Sequence, residues 1–135
     1  MAKNYPKSDY LILQKKAEEH KLPIEFLMEE KAYDACVSTA CLSLINYMDA
    51  LSINLFGSDN KTTGHAQAPI LLQQKLNQIG KSNFKGLANE INSILNLKNL
   101  AAYECRNVTK KDAKIAVKVL EEMVSFYNRN VKRLV

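Results

Sequence analysis

The sequence predicts an all-α protein, an antiparallel up-and-down helical bundle of about five helices. Three observations predict it. The 135 residues include only 4 Gly and 3 Pro, too few turn-formers for a sandwich or barrel of many short strands. Apolar residues recur at spacings of three and four through most of the chain, and no stretch alternates convincingly with period two. The hydrophobic share is 47% and the charged share 24%, which suits one packed core and excludes wholesale disorder. Residues 1–135 are therefore expected to form a single domain, with 1–7 a flexible N-terminus and 57–64 a loop.

Each element has a local reason. Ser8 is placed to cap a first helix, with Asp9 in its first turn favouring the positive end of the dipole. That helix runs to about His20, because the residue before Pro23 disfavours helical backbone. Pro23 then starts a second helical piece with Ile24, Phe26, Leu27 and Met28 apolar. From Ala32 to Phe56 runs a central helix whose polar positions Thr39, Ser43, Asn46 and Asp49 form one narrow stripe. A helix apolar around most of its circumference is buried on several sides, in the middle of a bundle or at an oligomer interface. The same polar positions interrupt the apolar stretch, so a membrane span is not expected.

Gly57 to Gly64 forms the loop. His65 to Gly80 follows as a shorter helix, with Pro69 tolerated in its first turn and Gly80 at its end. Ser82 or Asn83 is placed to cap the next helix, whose stripe is Phe84, Leu87, Ala88, Ile91, Ile94, Leu95, Ala101 and Ala102. Thr109 caps the last helix, with Asp112 three residues on in a capping-box position. Its inward stripe is Ala113, Ala116, Leu120, Met123, Tyr127 and Leu134.

The formal net charge of +5 is uneven: residues 1–31 are neutral, 32–80 carry −1, 81–108 carry +2 and 109–135 carry +4. A basic end of this kind attracts phosphates or an acidic partner, and otherwise serves as a solvated face. Cys36, Cys41 and Cys105 are an odd set without an exported-protein signal, which points to a reducing, cytoplasmic setting and small buried core thiols. Their spacing suits no metal, and no metal or cofactor is expected. His20 falls at a helix end, where a cation is favoured without any catalysis. His65 opens a helix after a polar loop and is the one imidazole placed to meet a ligand. The paired carboxylates Glu18–Glu19, Glu29–Glu30 and Glu121–Glu122 are sequence neighbours, which on a helix point in different directions. Lys98, Tyr103, Arg106 and Asn107, followed by Lys110 and Lys111, bring cations, an amide and a phenol to one helix junction. That set suits a nucleotide or an RNA backbone through charge and stacking, and equally suits a helix end closing on its neighbour.

Three stretches resemble the HEPN-domain family of small prokaryotic helical bundles. Tyr33-Asp34-Ala35-Cys36-Val37-Ser38-Thr39-Ala40 through Ala50-Leu51 is similar to the family's long second helix. Gly64-His65 before Ile70-Leu71-Leu72 looks like the opening of its third helix. Lys98-Asn99-Leu100-Ala101-Ala102-Tyr103, followed by Val108-Thr109, resembles its Arg-x-x-Ala-Asp-Tyr segment. The resemblance implies a link to metal-independent endoribonucleases, whose motif is an Arg, a polar residue and then a His. Arg106-Asn107 starts such a motif, but Lys111, Asp112 and Ala113 occupy the positions where the His would fall. Lys98 also stands where the family has Arg, and a lysine lacks the bidentate fork of a guanidinium. The expectation is therefore a non-catalytic module. Residues Lys98, Tyr103, Arg106, Asn107, Lys110 and Lys111 would bind RNA or a nucleotide. If the chain were active, Arg106, Tyr103 and His65 would carry the cleavage. The resemblance further implies a homodimer, a toxin–antitoxin setting and a nucleotidyltransferase partner.

Overall fold

The computed structural model describes residues 3–60, 67–103 and 107–133, and of residues 100–103 the backbone alone. A 3-10 turn, Lys7–Asp9, leads into α1 (Tyr10–Lys21). Then come α2 (Ile24–Glu29), α3 (Tyr33–Phe56), α4 (Ala68–Gln78), α5 (Lys85–Tyr103) and α6 (Lys110–Asn130). Among the described residues there is no strand, only one isolated bridge between Asn4 and Ser58. The protein is the all-α bundle that the apolar spacing predicts.

The expected capping by Ser8 is not made. Ser8 lies inside the 3-10 turn, and α1 begins at Tyr10 without a side-chain cap. The start of α5 also differs. Ser82 and Asn83 precede the helix, and the carbonyl of Phe84 accepts from the Ala88 N–H at 2.8 Å. At the other end of the chain, α6 stops at Asn130 and does not run to Leu134. Val131 takes extended backbone, φ −65° and ψ 137°. The next residue is held by a two-bond amide clamp: Asn54 Nδ2 donates to Lys132 O at 2.7 Å, and Lys132 N donates to Asn54 Oδ1 at 2.8 Å. A long-range pairing of this kind overrides local helix propensity.

The core lies around α3, packed chiefly against α1 and α6. Leu44, Met48, Leu51 and Ile53 of α3 are fully buried with Phe84, Ile91, Leu120, Met123 and Phe126. Two tilted ring pairs knit the layers, Tyr47 with Tyr127 at 5.2 Å and Phe84 with Phe126 at 4.9 Å between centroids. Helix α3 has the length and hydropathy of a membrane span, but 78% of its most apolar window is buried inside this fold. Its greasiness, which left a dimer interface open as an explanation, is accounted for by the chain's own helices.

The polar stripe of α3 is buried at Ser43 and Asp49 and half-buried at Thr39 and Asn46. Ser43 Oγ donates to the carbonyl of Ala17 on α1 at 2.8 Å, and Asn46 Nδ2 donates to His20 Nδ1 at 3.1 Å. Ser43 and Asn46 lie on the seam along which α3 meets α1, and each is satisfied there. His20 is thereby a structural residue at the end of α1.

Candidate functional site

The junction between α5 and α6 carries the residues singled out in the sequence. Helix α6 is started by a complete capping box. Thr109 Oγ1 accepts from the Asp112 N–H at 3.1 Å, and an Asp112 carboxylate oxygen accepts from the Thr109 N–H at 3.0 Å. Buried Val108 anchors the chain just before the cap. The cap fixes the direction in which the first turns of α6 present their side chains.

Those turns are basic. Lys110, Lys111, Lys114 and Lys118 are all exposed. At about 100° per residue they fall within one quadrant-wide stripe. From Lys110 to Lys118 the stripe spans roughly 12 Å. Beyond it the sign reverses at Glu121 and Glu122. Cations at this end of a helix oppose the macrodipole and bring α6 no stability. Asp112 is the one first-turn residue whose charge suits the dipole, and it is engaged in the cap. Four lysines beside a helix N-terminus present a strongly positive surface to any phosphate that approaches.

The remaining predicted residues divide in two. Asn107 is exposed beside this surface, and Lys98 on α5 is half-buried. Lys98 lies close enough to Cys41 for its charge to lower the thiol's pKa, but burial dominates and pushes Cys41 up to about 12. Cys41 Sγ donates to the carbonyl of Ile94 at 3.7 Å. Cys36 is also buried, and burial raises its pKa. Both are inert core thiols, as expected. The side chain of Tyr103, and the whole of Arg106, His65 and Cys105, lie outside the described residues. Among the described residues no group of three or more His, Cys, Asp or Glu is placed to hold a metal ion.

A second polar centre escaped the sequence reading. Lys75 Nζ donates to Ser52 Oγ at 2.8 Å, Asp59 O at 2.8 Å, Ser58 Oγ at 3.2 Å and Asn60 Oδ1 at 3.4 Å. Burial lowers the pKa of Lys75, against the opposing charges of Asp59 and Asp49. Asp49, at the lower end of the α3 stripe, accepts from the backbone N–H of Asn60 at 2.9 Å and from its side-chain amide at 3.2 Å. The N-terminal segment closes over this knot. Tyr5 N donates to Gly57 O at 2.8 Å, Asp59 N to Lys3 O at 3.2 Å, and Lys3 N to Asp59 Oδ1 at 3.1 Å. Residues 3–5, expected as part of a flexible N-terminus, are thus hydrogen-bonded to the start of the loop. A signal was present: Lys75 sits on the face of α4 between the buried Leu72 and Leu76, where a solvated lysine would not be placed. With all its protons donated to protein oxygens, this lysine fastens a loop and offers no base or nucleophile.

No curated protein and no solved structure matches the chain. The sequence model of the HEPN domain does, over residues 10–130. That span takes in α1 to α6 and the α5–α6 junction. The chain belongs to the HEPN-domain family.

Proposed function

We propose that this protein is a non-catalytic HEPN module that binds the phosphate backbone of RNA or a nucleotide at the α5–α6 junction. The exposed stripe of Lys110, Lys111, Lys114 and Lys118 beside the capped start of α6 carries this reading. The lysines sit where they oppose the helix dipole, so their placement calls for a reason outside helix stability. Half-buried Lys98 and exposed Asn107 flank the junction, and the sequence between them adds Tyr103 and Arg106, a phenol that suits stacking on a base and a guanidinium that suits phosphate. The His missing from the positions after Arg106 supports binding without cleavage.

The test is binding of a single-stranded RNA oligonucleotide, followed by fluorescence anisotropy across a salt series. Log affinity is expected to fall linearly with log salt, by about 0.7 per lysine engaged. K110E/K111E/K114E should weaken binding by more than about tenfold and flatten that slope. A slope near zero in the wild type overturns the reading. Cleavage of the same RNA by the wild type, lost in Arg106→Ala, replaces it with a divergent metal-independent endoribonuclease using Arg106, Tyr103 and His65. The family resemblance supports a toxin–antitoxin pairing with a nucleotidyltransferase; co-expression and co-purification with the product of a neighbouring nucleotidyltransferase gene test it.

A further inference from the structure

We infer that the end of the bundle where α1 begins and α3 and α6 finish is a docking surface for an anionic lipid bilayer. Its parts come from distant stretches of the chain, and hydrogen bonds draw them together. Tyr5 N donates to Gly57 O at 2.8 Å, and Lys7 lies beside Gly57. One turn before Gly57, Asn54 holds Lys132 in the amide clamp. Lys3, Lys7, Lys132 and Arg133 therefore share one end of the molecule, and all are exposed. Lys15 and Lys16 follow, exposed on the outward side of α1. Among the described residues 3–16, 54–60 and 131–133 no side-chain carboxylate is exposed: Asp9 is half-buried and Asp59 buried. Lys132 and Arg133 suit the end of α6, but Lys3 and Lys7 stand before the start of α1, where a cation opposes the dipole.

Two aliphatic side chains protrude from the same region. Leu11 is 54% exposed and Ile12 57%, both in the first turn of α1. Tyr10, Leu13 and Ala17 hold this helix to the core, so neither is needed for packing. Ile12 and Lys16 border one cavity with Tyr5, which sets them beside the N-terminal segment. Aliphatic groups among lysines select the occupant. They give a nucleic-acid base nothing to stack on or to bond. The boundary between lipid headgroups and acyl chains accepts both, the aliphatics inward and the lysine ends outward on their stems toward anionic phosphates. Each cation near such a surface adds about fivefold to partitioning. Glu18 and Glu19 come one turn beyond Lys15 and mark the limit of the patch. The Lys110 stripe opens at the opposite end of α6, roughly 30 Å away. It stays clear of the bilayer, so this inference stands apart from the RNA reading and does not depend on it.

The test is co-sedimentation of the full chain with phosphatidylcholine vesicles containing about 30% phosphatidylserine, at about 0.1 M salt. The wild type is expected to bind these vesicles and not pure phosphatidylcholine. K7E/K132E/R133E should weaken binding by at least about a hundredfold. L11S/I12S should weaken it by about tenfold, with an unchanged helical circular dichroism spectrum. Ile70→Ser, at an exposed apolar position on α4, is expected to leave it unchanged. The chain has no tryptophan, so Leu11→Trp supplies a single reporter, whose emission should shift to the blue on the anionic vesicles. A wild type that does not sediment with them overturns the inference. So does binding that L11S/I12S leaves unchanged, because the contact is then charge alone. Loss of RNA with vesicle binding kept in K7E/K132E/R133E also overturns it, since that end then serves nucleic acid. K110E/K111E/K114E is expected to lose RNA and keep the vesicles, so the two proposals fail separately.

Discussion

Lys31 adopts φ 59°, the only positive φ among the described non-glycine residues. It closes α2 in the double-bonded turn that ends many helices: Lys31 N donates to Met28 O at 3.1 Å and Ala32 N to Leu27 O at 2.9 Å. Gly57 and Gly80 take the same left-handed conformation after α3 and α4 without a Cβ penalty. Lysine bears that penalty, so Lys31→Gly is expected to stabilise the protein by about 1 kcal/mol. A melting curve should show it as a rise of about 3–6 °C. Lys75 offers the opposite case. Lys75→Met removes the cation between Asp49 and Asp59 and leaves Ser58 Oγ and Asn60 Oδ1 with one donor fewer. A loss of about 2–3 kcal/mol is expected in urea unfolding. These two residues also mark how far sequence reasoning reaches. Lys75's position on an apolar helix face is visible in the periodicity, but the serine and asparagine oxygens that welcome it are not. Nothing local identifies Lys31 as the residue that must turn left-handed, because a glycine is the usual signal and none is present.

Among the elements, α6 was the most legible. Its capping box and its inward stripe from Ala113 to Tyr127 both follow from spacing, and Thr109→Ala is expected to cost about 1 kcal/mol in the same unfolding assay. Its end was misjudged because the clamp between Asn54 and Lys132 joins residues too far apart in sequence for any local pattern to register. Helix α3 was legible as a buried element and less so in what covers it. The stripe of Ser43, Asn46 and Asp49 is plain in the sequence. One of its partners is a backbone carbonyl on α1, and a carbonyl has no sequence signature. The α5–α6 pair adds an electrostatic prediction. Glu122 has its pKa raised by partial burial, then by a hydrogen bond to and the charge of Glu90, with Lys118 acting in the opposite direction. Its folded-state pKa thus lies above the unfolded value. The proton shared between the carboxyls stabilises the fold at acid pH, and that contribution is lost as pH rises through the folded-state pKa. Glu122→Gln should therefore stabilise the protein at pH 7, by about 0.5 kcal/mol for so accessible a pair. The two melting temperatures should converge as the pH is lowered below the ordinary carboxylate range.

At the scale of the whole molecule, charge is unevenly distributed over the surface. The start of α6 is basic, while the α1–α2 corner is acidic and unusually apolar at Leu22 and Phe26. The composition shows both surpluses but not where they lie. The apolar surplus looked like a property of α3, which the fold covers with its own helices; among the apolar side chains left uncovered, Phe26 belongs to the shortest helix, where six residues are too few for periodicity to separate an inward from an outward face. The knot around Lys75 acts across the same distances, tying residues 3–5, the end of α3, residues 57–60 and α4 to one another. Its consequence lies in hydrogen exchange. A segment written Gly57-Ser58-Asp59-Asn60 has the composition of a solvent-washed loop whose amides trade for deuterium within seconds. Here the Asn60 amide is bonded to a carboxylate in the interior, and the Asp59 amide to the N-terminal chain. Both should exchange as slowly as core helical amides, and the Asn60 amide should lose that protection in Asp49→Ala while the amides of α6 keep theirs.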